Sequence, residues 1–143
     1  IEEARALSGM TAPSDVACWL QERGAQTVIL TLGADGVFVM DRSGETFEVP
    51  AHRIDAVDTT GCGDSFTAGI ITGLSREMDL RPTVELANAV AAKVAMGLGS
   101  QGRLKCFADT VAFMTSQTAS LAGRDVSARV DAKTDARSDR GGA

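Results

Sequence analysis

The sequence DTTGCGDSF, residues 58–66, places aspartates, hydroxyl groups and glycines in nine positions directly before an apolar run. The apolar positions that follow, Phe66, Ile70 and Leu74, recur at the spacing of one helix face. A helix is therefore predicted to begin at or just before Asp64. The polar stretch is then the loop that leads into the N-terminus of this helix.

A loop of this composition suits a phosphate. The first backbone N–H groups of a helix lack partners and carry a partial positive charge, and glycines at positions 61 and 63 would let them approach an anion closely. Asp64 would lie beside the phosphate, within reach of an attacking hydroxyl group, as a general base must. The same residues are also common as helix caps and turn residues, so spacing alone leaves both interpretations open.

Two other phosphate-binding motifs fit less well. The pattern G-x-x-x-x-G-K-[ST] of a P-loop does not occur in the chain. A dinucleotide-binding fingerprint matches Gly61 and Gly63 but has Phe66 where a small residue is needed. Its acidic partner would be Glu85, which lies in a helical pattern instead of at a strand end.

The segments on either side predict an α/β fold. Helices are expected where apolar residues recur every three or four positions, and strands where β-branched and apolar residues run together between turn residues. The predicted elements are a helix in 1–9, a helix from the N-cap Ser14 to a stop at Gly24, strands at 27–32, 36–40 and 46–49, the helix at Asp64, a helix from about 83 to 98 closed by Gly99, and a helix capped by Asp109.

Composition narrows the function classes. The 143 residues suffice for one domain, and 44% of them are apolar. A net charge of −5 argues against a general nucleic-acid surface, and no apolar run approaches the roughly 20 residues of a membrane span. Three cysteines without a C-x-x-C spacing indicate neither a disulfide framework nor a zinc cluster. A reducing cytoplasm is the simplest expected compartment.

Both ends of the sequence are informative. The first residue is Ile1, and a helical pattern starts there without a cap residue, which predicts a chain truncated at its start. Residues 1–118 are expected to fold. Residues 119–143, where charges alternate and aromatic residues are absent, are expected to form a disordered tail.

The motif resembles that of a known family. DTTGCGDSFTAGI (58–70) resembles the D-T-x-G-A-G-D signature of the ribokinase-like (PfkB) carbohydrate kinases, with Cys62 in place of the usual alanine. VILTLGADGV (28–37) is similar to the family's T-x-G-x-x-G nucleotide segment. ANAVAAKVAMGLGSQG (87–102) resembles the adenine-side helix and the loop after it. The opening IEEARALSG (1–9) resembles the end of an N-x-x-E motif.

The resemblance covers about residues 1–118 and implies the C-terminal portion of a ribokinase-like three-layer α/β/α sandwich. It implies an ATP-dependent kinase that phosphorylates a sugar hydroxyl, with Mg²⁺ as a further cofactor and K⁺ as a candidate. Fructose, ribose and ketodeoxygluconate kinases all fit, because the half of the family fold that selects the sugar is missing. A homodimer of the complete protein also fits. The alternatives are a nucleoside kinase of the same fold and a nucleotide-binding remnant without activity.

The family roles transfer to matching positions. Asp64 resembles the catalytic base, and the amides of Gly61, Cys62 and Gly63 resemble the anion hole for the transferring phosphoryl group. Asp58 and the Thr60 backbone resemble part of a monovalent-cation site. The remaining implied residues are Thr31, Gly33 and Gly36 at the nucleotide phosphates, Asn88 and Gly99 at the adenine, and Glu3 at Mg²⁺ through water.

Cys62 and His52 lead to two further expectations. A thiol at a helix N-terminus is expected to have a stabilised thiolate, so alkylation of Cys62 should block nucleotide use. The simpler interpretation, which we favour for catalysis, is that cysteine replaces alanine as another small residue. His52 matches no family position and is expected at the surface.

Overall fold

A three-stranded antiparallel sheet with helices on both faces organises residues 1–105. The computed structural model describes residues 1–117. The elements are α1 (Glu2–Ser8), α2 (Pro13–Gln21), β1 (Val28–Thr31), β2 (Val37–Met40), β3 (Thr46–Val49), α3 (Cys62–Ser75) and α4 (Leu80–Ala95). A short 3-10 turn (Gly33–Asp35) links β1 to β2. The second unit begins at Cys106, and its described part contains a helix over 107–117.

Strand alternation produces two apolar faces. The register pairs Val28 with Met40 and Leu30 with Phe38 in β1 and β2, and these four side chains form one core cluster together with α2. The opposite face presents residues of β2 and β3 to α3 and α4 in a second cluster, which consists of Val37, Val39, Val49, Phe66, Val84 and Ala87. All four residues of β2 are buried, so β2 is the central strand. The predicted α/β/α layering is confirmed.

α3 and α4 pack closely because two glycines lie between them. A Cβ on Gly69 would lie 2.5 Å from Cα of Ala87, and a Cβ on Gly73 would lie 2.6 Å from Cγ2 of Thr83. This contact sets the position of the N-terminus of α3, where the polar loop ends.

Three predicted boundaries are wrong. α2 begins at Pro13 with Ala12 as N-cap, so Ser14 lies inside the helix; proline fits the first helical position, where its missing N–H costs nothing. α4 begins and ends three residues earlier than the expected 83–98, because Asp79 takes the N-cap position and Pro82 is tolerated in the first turn. Asp109 is not an N-cap, since helical residues already begin at 107.

The predictions for the strands and α3 are confirmed, and the prediction for the C-terminal tail is not tested. The strand predictions hold to within one residue at each end, and α3 begins close to Asp64, as expected. The expected disordered tail, 119–143, lies outside the described residues. No helix within 1–117 is both long enough and apolar enough to cross a bilayer.

Candidate active site

The loop before α3 is fixed by a glycine. Gly61 is the N-cap of α3 and adopts the left-handed conformation, with φ of 78°. A Cβ at this position would lie 2.8 Å from Cβ and 2.9 Å from Cα of Ser100. Gly61 is therefore required twice, by its dihedral angle and by the close approach of the loop that follows α4.

Three amides at the N-terminus of α3 are available to an anion. The N–H of Cys62 donates to the Thr59 carbonyl at 3.2 Å, and the N–H of Ser65 donates to the Gly61 carbonyl at 2.9 Å. The N–H groups of Gly61, Gly63 and Asp64 find no acceptor among residues 1–117. The predicted set was 61, 62 and 63. In this conformation Thr59 engages the Cys62 amide, and the amide of Asp64 completes the set.

Asp64 is the third residue of α3 and is exposed. Gly63 beside it is exposed as well, and a Cβ there would meet nothing within 4 Å. The helix therefore presents an anion-binding end with a carboxylate beside it and open space around both. An arrangement of this kind can hold a phosphoryl group and accept a proton from a neighbouring hydroxyl group.

Asp58 connects this loop to the segment after α4. Its Oδ1 accepts the N–H of Thr60 at 2.9 Å, and its Oδ2 accepts the N–H of Gly99 at 3.0 Å. Hydrogen bonds from Thr60, together with the Gly99 amide, hold the pKa of Asp58 below its usual value, so the carboxylate is anionic. Asp58 therefore positions the loop, and its charge and remaining lone pairs also fit a monovalent cation.

A cleft of about 780 Å³ lies beside the N-terminus of α3. Most of its walls are small apolar side chains and backbone, which suits a flat organic group. It is lined by Gly33, Ala34, Asp35, Pro50, Ala51, His52, Arg53, Ile54, Ala56, Thr59, Cys62, Asn88, Ala91, Ala92 and Ala95. Cys62 and Thr59 belong both to the cleft and to the loop, so the cleft leads to the anion-binding end of α3.

Asn88 is the buried amide of the cleft. It lies in α4, is 8% exposed, and donates from Nδ2 to the Pro50 carbonyl at 2.9 Å. His52, expected at the surface, is partly exposed, and burial of the rest of the ring lowers its pKa. It follows Pro50 closely, and the segment after β3 folds over the cleft. No local sequence pattern indicates the hydrogen bond between Asn88 and Pro50, because it joins two segments that are 38 residues apart.

Of the other predicted residues, two line the cleft and four do not. Gly33 and Asn88 line the cleft, as a nucleotide site requires. Gly36 is buried and does not line the cleft, and a Cβ on it would lie 2.7 Å from the Ala51 nitrogen, so the fold requires glycine there; its role at the nucleotide phosphates stays a prediction. The remaining three, Thr31, Gly99 and Glu3, do not line the cleft. Their roles in nucleotide and metal binding stay predictions.

The reactive thiolate expected at Cys62 is contradicted. Burial of the thiol and the nearby charge of Asp58 raise the pKa of Cys62 above its usual value. The Sγ atom lies 3.6 Å from the Ala91 carbonyl. Cys62 therefore fits the simpler interpretation of a small residue in the place of alanine.

The described residues fit Mg²⁺ when the phosphates of a bound nucleotide supply further ligands. No group of three or more His, Cys, Asp or Glu side chains comes together in the part of the chain that the structure describes. Mg²⁺ is commonly held by one or two carboxylates together with substrate phosphates. A Mg²⁺ site of this kind does not require three protein side chains to come together.

Fold and site together define a class. This chain is an α/β/α layered protein whose glycine loop presents unpaired amides and an acidic residue beside an apolar cleft, an arrangement that fits a phosphate group. The model of the pfkB family carbohydrate kinases matches residues 1–105, and the chain belongs to this family.

Individual proteins that are similar to this chain are also kinases. The chain is 44% identical over 75 residues to aminoimidazole riboside kinase of Salmonella typhimurium, covering 52% of this chain and 23% of that protein. It is 31% identical over 117 residues to ribokinase of Haemophilus influenzae, covering 78% and 38%. The crystal structure of ribokinase from Thermotoga maritima superposes with a TM-score of 0.74 at 29% identity, over 80% of this chain and 40% of that one. The chain thus spans between 23% and 40% of these proteins.

Proposed function

We propose that this chain is the C-terminal, nucleotide-binding and base-bearing portion of an ATP-dependent kinase that phosphorylates a sugar hydroxyl group. One observation carries the proposal: the amides of Gly61, Gly63 and Asp64 have no acceptor among residues 1–117, and they lie together at the start of α3, where Asp64 is exposed. Membership of the pfkB family supports it.

The geometry supports the following division of labour. The nucleoside lies in the cleft beside α4, and the phosphate chain runs past Cys62 to the N-terminus of α3. There the unpaired amides stabilise the negative charge on the γ-phosphoryl group. These donors belong to a loop that Asp58 joins to Gly99 and that Ser100 approaches closely at Gly61.

Asp64 acts as the general base. Its carboxylate accepts the proton of the sugar hydroxyl, whose oxygen forms a bond to the γ-phosphorus. The bond between this phosphorus and the bridging oxygen breaks, and its electron pair leaves with ADP. Mg²⁺ on the nucleotide would neutralise phosphate charge, with Glu3 as the proposed water-mediated contact and Asp58 beside a proposed K⁺. A fructokinase structure from Vibrio cholerae, 26% identical and with a TM-score of 0.72, is described as containing fructose, ADP and potassium ion.

The acceptor class is open to one specific alternative. The chain is 44% identical to an aminoimidazole riboside kinase, and this identity makes a riboside the second candidate acceptor after a free sugar. The three free cysteines within the described residues fit a reducing compartment, so we place the protein in the cytoplasm.

A phosphotransfer assay tests the proposal. The longest natural protein that contains this sequence is incubated with Mg·ATP and a panel of fructose, ribose, ketodeoxygluconate and aminoimidazole riboside, and ADP release is measured. We expect release that depends on one acceptor and is lost in Asp64→Asn. Binding of Mg·ATP without ADP release for any acceptor would favour a remnant without activity, and absence of binding would overturn the proposal.

A further inference from the structure

The side chain of Asp64 has no partner among residues 1–117. It lies in the first turn of α3, is exposed, and forms no hydrogen bond or ion pair with another residue of that range. Its carboxylate oxygens are therefore hydrated, and a carboxylate oxygen accepts hydrogen bonds only. Water molecules beside Asp64 consequently direct an O–H group at it.

The face of α3 that bears Asp64 is open to solvent. Thr67, Ala68 and Ile71 follow Asp64 at helical spacing, and all three are exposed, Ile71 to 62%. The opposite face of the helix is buried, with Phe66 in the second core cluster. Within residues 1–117, solvent therefore reaches the side of the site from which an acceptor would approach.

The donor side and the acceptor side of the site differ. On the donor side, the cleft has walls from α4 and from the segment after β3, and these walls suit a nucleotide. On the acceptor side, a Cβ on Gly63 would meet no heavy atom within 4 Å. Residues 1–117 can therefore hold a nucleotide, but they do not enclose an acceptor or keep water from its position.

We propose that the chain has a second activity, the hydrolysis of Mg·ATP to ADP and inorganic phosphate, with water in the position of the acceptor. This inference rests on the proposed function, since it uses the same nucleotide site and the same base. Asp64 accepts a proton from a water molecule, and the water oxygen forms a bond to the γ-phosphorus. The bond between this phosphorus and the bridging oxygen breaks, and its electron pair leaves with ADP. The proton then passes from Asp64 to solvent.

Hydrolysis is expected to be slower than transfer to a sugar hydroxyl. An acceptor that is bound in line with the γ-phosphorus gains from positioning, whereas the water molecule is oriented by one carboxylate alone. A sugar in this space would also displace the water. Phosphate release without an acceptor is therefore a property of the open site.

Phosphate release from the 143-residue chain tests the inference. The chain is incubated with Mg·ATP and no acceptor, and phosphate release and Mg·ATP binding are measured on the same samples. We expect release in proportion to the chain concentration and a rate about 10-fold or more lower in Asp64→Asn. Asp55→Asn, which changes an exposed aspartate outside α3, should stay within about twofold of the unchanged chain. Equal release by Asp64→Asn and the unchanged chain would overturn the inference.

Chemical rescue distinguishes a base from a structural residue. Asp64→Ala removes the carboxylate and leaves space that a formate ion can enter, because Asp64 and Gly63 are exposed. Formate should restore phosphate release by Asp64→Ala several-fold, and chloride at the same ionic strength should not. Equal effects of formate and chloride would contradict the role of Asp64 as the base.

The outcome separates this inference from the function on which it rests. If Mg·ATP binds and no phosphate is released, the nucleotide site stands and only the reaction with water fails. If Mg·ATP does not bind, both the site and the hydrolysis fail.

Discussion

The Asp58 carboxylate accepts the backbone N–H of Gly99 at 3.0 Å, across 41 residues of sequence. Its other oxygen accepts the N–H of Thr60, only two residues away. One side chain therefore joins the loop before α3 to the loop after α4. The N-terminus of α3 is therefore positioned in part by a contact from outside its own helix.

The contact predicts a dependence of stability on pH. Hydrogen bonds lower the folded-state pKa of Asp58, so its contribution is present above the usual aspartate pKa of 3.8 and is lost as pH falls through the lower, folded value. We expect the melting temperature of the chain to fall with pH below about 4. Asp58→Asn should flatten this part of the profile.

A second aspartate is the control. Asp41 lies in the turn between β2 and β3, and its side-chain hydrogen bond with Ser43 and backbone N–H groups there lower its pKa as well. Asp41→Asn should also flatten the acid limb, but it should leave ATP affinity unchanged, whereas Asp58→Asn should weaken ATP binding. Equal ATP affinity in both variants would show that Asp58 does not position the site.

Replacing Gly63 by alanine is expected to stabilise the fold and to weaken ATP binding. Gly63→Ala places a methyl group in open space and replaces glycine inside a helix, so it should stabilise the fold by about 0.5–1 kcal/mol. The same methyl group would stand among the anion-binding amides, and we expect ATP binding to weaken by about 10-fold or more. Chemical denaturation and calorimetry measure the two effects.

Gly61→Ala and Gly69→Ala are the matched comparisons. Each introduces the same methyl group, but at Gly61 it meets Ser100 with φ positive, and at Gly69 it meets Ala87. Both should destabilise the fold, by about 1–3 kcal/mol. If Gly63→Ala gains stability and binds ATP normally, the open space at Gly63 is not a phosphate site.

The base assignment predicts a loss of turnover without a loss of binding. Asp64→Asn keeps the shape of the side chain and the backbone amide but cannot accept the proton. We expect kcat to fall by about 100-fold to 10,000-fold, while the affinity for ATP stays within about twofold. Asp55→Asn, another exposed aspartate outside α3, should leave kcat unchanged. Retained turnover in Asp64→Asn would rule out this base.

The raised pKa of Cys62 predicts an order of alkylation. Cys18 and Cys106 are exposed, and Cys62 is half-buried with its thiolate disfavoured by burial and by Asp58. At pH 7, iodoacetamide should modify Cys62 last, and its labelling should accelerate as pH rises toward and beyond 9. Mass spectrometry of the peptides gives the order, and preferential labelling of Cys62 at pH 7 would contradict the raised pKa.

The strands and α3 could be predicted because local patterns determine them. β-branched runs between turn residues place β1, β2 and β3 to within one residue. Ser14 failed as an N-cap because Pro13 is itself suited to the first helical position. Helical spacing alone does not show whether the helix begins at Pro13 or is capped by Ser14.

The candidate site was predictable in its motif and not in its finer geometry. The loop composition identified Gly61, Gly63 and Asp64, but the Thr59 carbonyl that engages the Cys62 amide follows from the fold of the loop. The orientation of Asn88 depends in the same way on Pro50, which lies 38 residues earlier. Contacts over such separations leave no periodic signal in a sequence.

The most direct test of the account is to observe the amides of α3 while the nucleotide binds. In ¹H–¹⁵N spectra of the chain titrated with Mg·ATP, the resonances of Gly61, Gly63 and Asp64 should shift downfield and saturate together, and that of Cys62 should move less because Thr59 already engages its N–H. Unchanged resonances of these three amides at saturating nucleotide would contradict the claim that the phosphates bind at the N-terminus of α3.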